Sequence, residues 1–359
     1  MKKYLLLLTF LSVIGNAQIV RKYSNEFLNI GAGARGLAMG GAVISNQNDV
    51  YAPMWNPAGL TEVESDLQGA AMHAEYFESI AKYDYISFAK ALDSKDGVLG
   101  ISIVRLGVDN ILNTTQMIDS EGNIDYDKIS KFSTSDYAGI ISYAFRPGGN
   151  QKLSVGINAK IVYRNIGKFA NGFGFGFDVG TIYRADSGYQ FGAMLRDATT
   201  TVNFWSINQK ELSAVVNGEE FNPAPKDKME ITMPKLNLGV SKNFEINRDL
   251  ELLPEAGLNV DFAKTAAVIS TDFASISPYL GAELSFQKMI FVRAGLNRFQ
   301  TVTDIEDLKR KVSMQPSAGI GIKYKGLTLD YAITNTGIGG SNYFSNFFSL
   351  KLDMRDFRY

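Results

Sequence analysis

Few residues in this chain could do chemistry, and their spacing argues against it. His73 is the only histidine, and there is no cysteine. A zinc site draws on Cys, His and carboxylates, and a single His without Cys does not furnish one. A Ser-His-Asp hydrolase would have to use His73, yet no Gly-x-Ser-x-Gly elbow accompanies it. Gly31, Gly33 and Gly36 fit the Gly-x-Gly-x-x-Gly dinucleotide fingerprint. No strand precedes them, however, and no acidic residue follows about twenty positions on to take a ribose. The glycines therefore read as points of close packing, and His73 as structural. No catalytic residue, metal or cofactor is expected. Lys plus Arg number 36 and Asp plus Glu 37 in 359 residues, so there is no excess of basic charge for nucleic acid.

The elements that must position any functional group are strands. In Leu153–Ile161 the odd positions are apolar and the even ones polar or small. Phe173, Phe175, Phe177 and Val179 alternate with Gly174, Gly176, Asp178 and Gly180, and Leu280, Ala282, Leu284 and Phe286 with Gly281, Glu283 and Ser285. A period of two means a strand with one greasy face and one polar face. About fourteen such segments fit near 66–77, 81–91, 97–107, 134–146, 151–165, 171–184, 189–197, 230–245, 250–265, 276–287, 288–300, 313–325, 326–336 and 346–359. Many run about ten residues, the length a tilted strand needs to cross a bilayer. The linkers after even-numbered segments are short, and the longest ones (108–133, 198–229, 266–275, 301–312, 337–345) follow odd-numbered segments. Short periplasmic turns and long outer loops give this parity in an outer-membrane barrel. The fold class is thus all-β: a transmembrane antiparallel β-barrel of about fourteen strands over residues 66–359. Its last segment ends in aromatics, as an outer-membrane barrel's does.

Two segments precede the barrel. Residues 1–17 read as a secretory signal peptide: Lys2 and Lys3, then apolar Tyr4 to Ile14, then small Gly15-Asn16-Ala17. Residues 18–65 form a hatch or plug. Its Gly31–Leu60 stretch is rich in Gly and Ala and nearly free of charge. Gly31, Gly33, Gly36, Gly40 and Gly41 let backbone approach backbone, and the stretch closes on Trp55-Asn56-Pro57-Ala58-Gly59. Arg35 is the only charge between Gly31 and Val43, and inside a barrel it should meet a carboxylate or carbonyl. The polar faces carry Lys160, Asp178, Asp261, Glu283, Arg293, Lys323 and Asp330, which should all point inward, with Glu283 near Arg293. In the loop 198–229, Phe204, Trp205 and Phe221 are candidates for contact with a protein partner or for the aromatic girdle.

The stretch GAGARGLAMGGA, followed by Asp49 and WNPAGL, resembles the N-terminal signature of the PorV/PorQ family. These are outer-membrane barrels of the type IX secretion system, related to the FadL long-chain fatty-acid transporters. The resemblance implies a fourteen-stranded barrel with an N-terminal hatch in which Asn56, Pro57 and Ala58 form the NPA element. It also implies a non-enzymatic role in type IX secretion, with the translocon, attachment-complex proteins and secreted cargo as partners alongside membrane lipid. The alternative is a FadL-like channel for hydrophobic small molecules such as fatty acids, which needs an apolar pocket within the barrel and a lateral opening. An enzyme acting on lipid headgroups is the third reading, and it would have to rest on His73.

Overall fold

A computed structural model describes residues 24–354, apart from 64, 93–96, 217–218, 222, 224, 226–227, 304–308 and 337–342. The expected signal peptide, 1–17, and the terminal aromatics Phe357 and Tyr359 lie outside the described residues. The alternating segments form a closed antiparallel barrel of fourteen strands. They are β1 (Leu67–Tyr76), β2 (Ala81–Ala91), β3 (Gly97–Asn113), β4 (Ser130–Phe145), β5 (Leu153–Ile166), β6 (Ala170–Arg184) and β7 (Tyr189–Arg196, resuming at Thr201–Ile207). Then come β8 (Met229–Thr232, Lys235–Lys242 and Phe244–Glu245), β9 (Leu250–Asp261), β10 (Ser275–Phe286), β11 (Ile290–Thr303), β12 (Arg310–Tyr324), β13 (Leu327–Asn335) and β14 (Phe344–Asp353). Each strand pairs with the next, and β14 pairs back onto β1 from Gln68↔Asp353 to Glu75↔Asn346, which leaves no open edge.

The alternation sorts outside from inside. Ile157, Ile161, Phe173, Phe175, Phe177, Leu280, Leu284, Ile320 and Ile322 are exposed on the outer wall. The alternating positions Asn158, Lys160, Asp178, Glu283 and Arg293 are buried inside. Apolar surface on this scale would be untenable in water and is what a lipid-facing wall presents. Asp261, Lys323 and Asp330 also reach the interior, where they line its cavities.

Inside the barrel lies the segment from Ser24 to Val63. It winds through two short helices, α1 (Ala34–Ala38) and α2 (Ala52–Trp55), and 3-10 turns at Glu26–Asn29 and Pro57–Glu62. Ala32, Ala34, Ala38, Met39, Ala42, Val43, Val50, Ala52, Ala58 and Leu60 are all fully buried. None of these helices could hold its shape alone at such lengths; the wall around them fixes it.

The structure differs from the sequence expectation at β7. Residues 201–207 continue the strand rather than opening the loop. Both parts of β7 pair with β6, from Arg184↔Gln190 to Val179↔Leu195 and again from Phe175↔Val202 to Ala170↔Ile207. Between them Asp197 to Thr200 bulge out of register, with φ of 51° at Asp197 and 60° at Thr200. Opposite, β8 is broken at Met233 and Pro234, and Pro234 has no N–H to give to a ladder.

Candidate functional site: the barrel lumen

Charged anchors tie the N-terminal segment to the wall. Arg35 Nε donates to Glu283 Oε2 at 2.9 Å. Glu283 also takes Arg293 Nε at 2.5 Å, and Arg293 Nη1 reaches Asp330 at 2.7 Å. Two cations and two carboxylates therefore close a neutral set across α1, β10, β11 and β13. At a second point Lys351 of β14 bonds Asp49 at 2.8 Å. At a third, the Glu255 carboxylate on β9 accepts from the backbone N–H of Ile44 (2.6 Å) and Ser45 (3.0 Å), from Ser45 Oγ (2.5 Å) and from Asn46 Nδ2 (2.8 Å). Among the described residues no cation is bonded to it; neutral donors satisfy its oxygens, as a buried carboxylate requires.

The signature residues pack on one another and on the wall. Trp55 donates from Nε1 to Ala32 O at 2.6 Å, and its ring covers Gly31, Gly36 and Gly41. Gly31 has φ +89°, and a Cβ there would fall 2.3 Å from Trp55 Cη2, so only glycine fits. Gly33 N donates to Met72 S at 3.0 Å, Gly40 O accepts from Asn297 at 3.0 Å, and Gly59 sits against the Gln47 carbonyl. Asn56 is wholly buried. Its Nδ2 reaches Ile44 O at 2.8 Å and Thr181 O at 3.0 Å, and its Oδ1 caps the turn by accepting from Ala58 N at 3.2 Å. Pro57 and Ala58 lie directly on β5, where a Cβ at Gly156 would be 2.3 Å from Ala58 N. The NPA element is thus a backbone-to-backbone contact with the wall.

The segment separates two chambers. The upper one, on the side of the long loops, has a volume of about 520 Å³. Its apolar side chains include Ile30, Leu37, Ile44, Trp55, Tyr76 and Phe347; its polar ones include Arg196, Lys235, Asn237, Asn259 and Gln300. The lower one, about 430 Å³, is lined largely by charge: Arg35, Asp49, Glu251, Glu283, Lys288, Arg293, Lys323, Asp330 and Lys351. Arg196 and Lys235, the last β7–β8 pair before the break in the wall, line the upper chamber. The bulge itself is held from inside. Lys160 Nζ lies 2.6 Å from both Asp178 and Asp197, and Asp197 N donates to Asp178 Oδ1 at 2.8 Å.

The remaining sequence candidates are scattered. Phe204 and Trp205 are on β7, not in the loop. Phe204 faces outward with Phe173 and Met229, while Trp205 points inward, packed on Gly172 with the Arg164 guanidinium 5.2 Å from its ring centre. Phe221 lies on a loop hairpin, Ala214–Val216 with Glu219–Phe221. His73 is on the outer wall, its Nδ1 2.7 Å from Asp84 Oδ1, so a triad in the lumen cannot include it. Among the described residues no three His, Cys, Asp or Glu are grouped to hold a metal ion. Sequence reasoning missed Glu255, although it continues the inward phase of Gly257, Asn259 and Asp261 by one step.

No protein-family model matches the sequence, and no curated protein matches it. Solved structures with the same fold include CymD, a monoaromatic hydrocarbon channel, with a TM-score of 0.59 and 13% identity over 90% of this chain and 98% of that one. The Pseudomonas putida toluene transporter TodX gives 0.57 and 14% over 93% and 98%. A Pseudomonas aeruginosa FadL homologue gives 0.51 and 10% over 90% and 98%. At such identities the shared property is the fold, and this chain has the FadL-like barrel.

Proposed function

We propose that this chain is an outer-membrane channel that takes hydrophobic or amphipathic small molecules from the long-loop side and passes them sideways through its wall. The observation that carries this reading is the upper chamber beside the β7–β8 break. It offers an apolar floor of Leu37, Trp55 and Phe347 under a polar rim, the composition that suits a small-molecule pocket. Passage straight down meets the Arg35–Glu283–Arg293–Asp330 set and the charged lower chamber, which an apolar solute does not cross cheaply. The hydrocarbon and toluene named for similar barrels favour an apolar cargo over a protein one. The inner segment acts here as a plug.

Trp55 in the chamber reports occupancy directly. In a Trp205→Phe background only one tryptophan remains. Titration of the detergent-solubilised protein with toluene and with oleate should change Trp55 fluorescence saturably, and Leu37→Arg should abolish the change. No response to either up to its solubility limit would overturn the reading. A second reading, the type IX secretion component, rests on the Gly31–Leu60 stretch; the long loop between β3 and β4, with Ile124 and Tyr126 exposed, would suit its translocon or cargo partners. Deleting residues 208–228 or 114–129 and comparing what co-purifies from outer membranes tests it.

A further inference from the structure

The outer wall at β1–β3 departs from the lipid-facing pattern. His73, Asp84 and Arg105 point outward as paired neighbours in one row across the three strands. Asp84 takes Arg105 Nη1 at 3.1 Å on one oxygen and lies 2.7 Å from His73 on the other. Lys82, nearer the rim, faces Asp109 at 3.7 Å. These side chains are between 32% and 49% exposed.

Their height can be read from pairing. The row continues through Phe348, Tyr331 and Ile320 on β14, β13 and β12, and through Tyr137, Tyr163 and Phe173 on β4, β5 and β6. All of these face outward and are apolar or aromatic. A row runs perpendicular to its strands, and strands of a membrane barrel tilt by about 35–45°. The row therefore climbs steadily round the wall. The charged residues sit between its lower and upper lipid-facing stretches, within the apolar band and not above it. Ionisable groups in that band are costly unless covered.

The signs have an order. Towards the rim, β2 carries Asp84 then Lys82, and β3 carries Arg105 then Asp109. A two-fold axis along the membrane normal at the β2–β3 seam sets β2 of one copy against β3 of the other. Asp84 then meets Arg105 and Lys82 meets Asp109, in both directions. An isologous contact must be self-complementary, and this pattern meets that condition with opposite charges. Below it, Ile86 and Ile103 are paired and exposed. We infer that the β2–β3 outer wall is the interface between two copies of this chain, which withdraws these charges from lipid.

The sequence has no cysteine, so one introduced thiol is the only one in each copy, and two copies of this chain can be joined only through it. In outer membranes treated with a bismaleimide, Ile103→Cys should give a crosslinked dimer. Leu258→Cys, exposed on β9 across the barrel, should stay monomeric. Light scattering in detergent should give a protein mass of two copies. In the Ile103→Cys background Asp84→Lys, which sets like charges together, should cut crosslinking about tenfold or more. The exchange Asp84→Arg with Arg105→Asp should restore it. The gel shift on boiling confirms that each variant is folded. A folded Ile103→Cys chain that stays uncrosslinked with a monomer's mass would overturn the inference. So would equal crosslinking at both sites, a crosslink to a different protein, or indifference to Asp84→Lys.

Discussion

Arg35→Met asks whether charge holds the inner segment in place. The substitution keeps most of the side-chain volume and removes the guanidinium. Arg293 is then left alone against Glu283 and Asp330. Breaking a buried ion pair costs about 3–5 kcal/mol, because one charge remains desolvated and unpaired. Arg35, Glu283, Arg293 and Asp330 all line the lower chamber of about 430 Å³. Water there can solvate the stranded carboxylate, so the cost falls at the lower limit, about 3 kcal/mol. At about 1.4 kcal/mol per decade that is roughly a hundredfold shift in the opening equilibrium of the segment. The reporters are the amides of Ile44 and Ser45, which donate to Glu255 and are freed only when the segment leaves the wall. Their hydrogen exchange should quicken about a hundredfold while amides of β5 and β6 stay protected. Arg35→Met with Glu283→Gln leaves Arg293 paired with Asp330 at zero net charge, and should recover most of the protection. Exchange within twofold of the parent, or a double variant no better than the single one, would refute the reasoning.

Asn56→Ala removes the cap on Ala58 N and strips the carbonyls of Ile44 and Thr181 of a donor. A lost cap costs about 1 kcal/mol and a stranded buried acceptor about 1–3 kcal/mol, so the urea midpoint for loss of segment protection should fall by the equivalent of about 2–4 kcal/mol. On the outer wall, Phe177→Arg should destabilise the barrel by more than Phe204→Arg, because Phe177 is the deeper of the two. Arginine on the lipid face costs about 2–4 kcal/mol at mid-bilayer and about 0–1 near the interface, and folding titrations into lipid vesicles measure the difference.

The barrel was legible in the sequence because hydrocarbon outside and polar contacts inside force a strict alternation on every strand. Inward Lys160, Asp178, Glu283 and Arg293 follow from phase alone, and the Glu283–Arg293 contact from adjacency on a tight hairpin. The interruption of β7 was not legible. Asp197-Ala198-Thr199-Thr200 contains neither Gly nor Pro, and Asp197, which opens the bulge at positive φ, is held by Lys160 and Asp178, 37 and 19 residues away. Local pattern therefore ended the strand at 197 and gave Phe204 and Trp205 to a loop. The partners of the inner segment were hidden for the same reason. Asp49 meets Lys351 across 302 residues, and Ile44 meets Glu255 across 211. Spacing along the chain carries no trace of such contacts.

The distribution of charge inside the barrel bears on direction of travel. Glu283, backed by Arg293 and Asp330, binds Arg35 of the inner segment at the lower chamber, and Lys351 binds Asp49, so opening a central path would strand charges at each anchor at once. At about 3 kcal/mol for the Arg35 contact alone, with the Asp49 and Glu255 contacts still to break, that is an expensive gate for a neutral solute with little affinity to offset it. The upper chamber leaves these anchors untouched; there the segment is held by Arg196, which donates to the carbonyls of Leu28 and Met54, and by Lys235, which bonds Glu26. The chamber floor is already apolar, and beside Arg196 and Lys235 the β7–β8 ladder is interrupted at Asp197–Thr200 and Met233–Pro234, while Ala198 N still donates to Phe177 O of β6. On the channel reading, the sideways route therefore leaves the Arg35, Asp49 and Glu255 anchors intact, and variants that weaken them, such as Arg35→Met, should loosen the segment without speeding uptake of an apolar cargo.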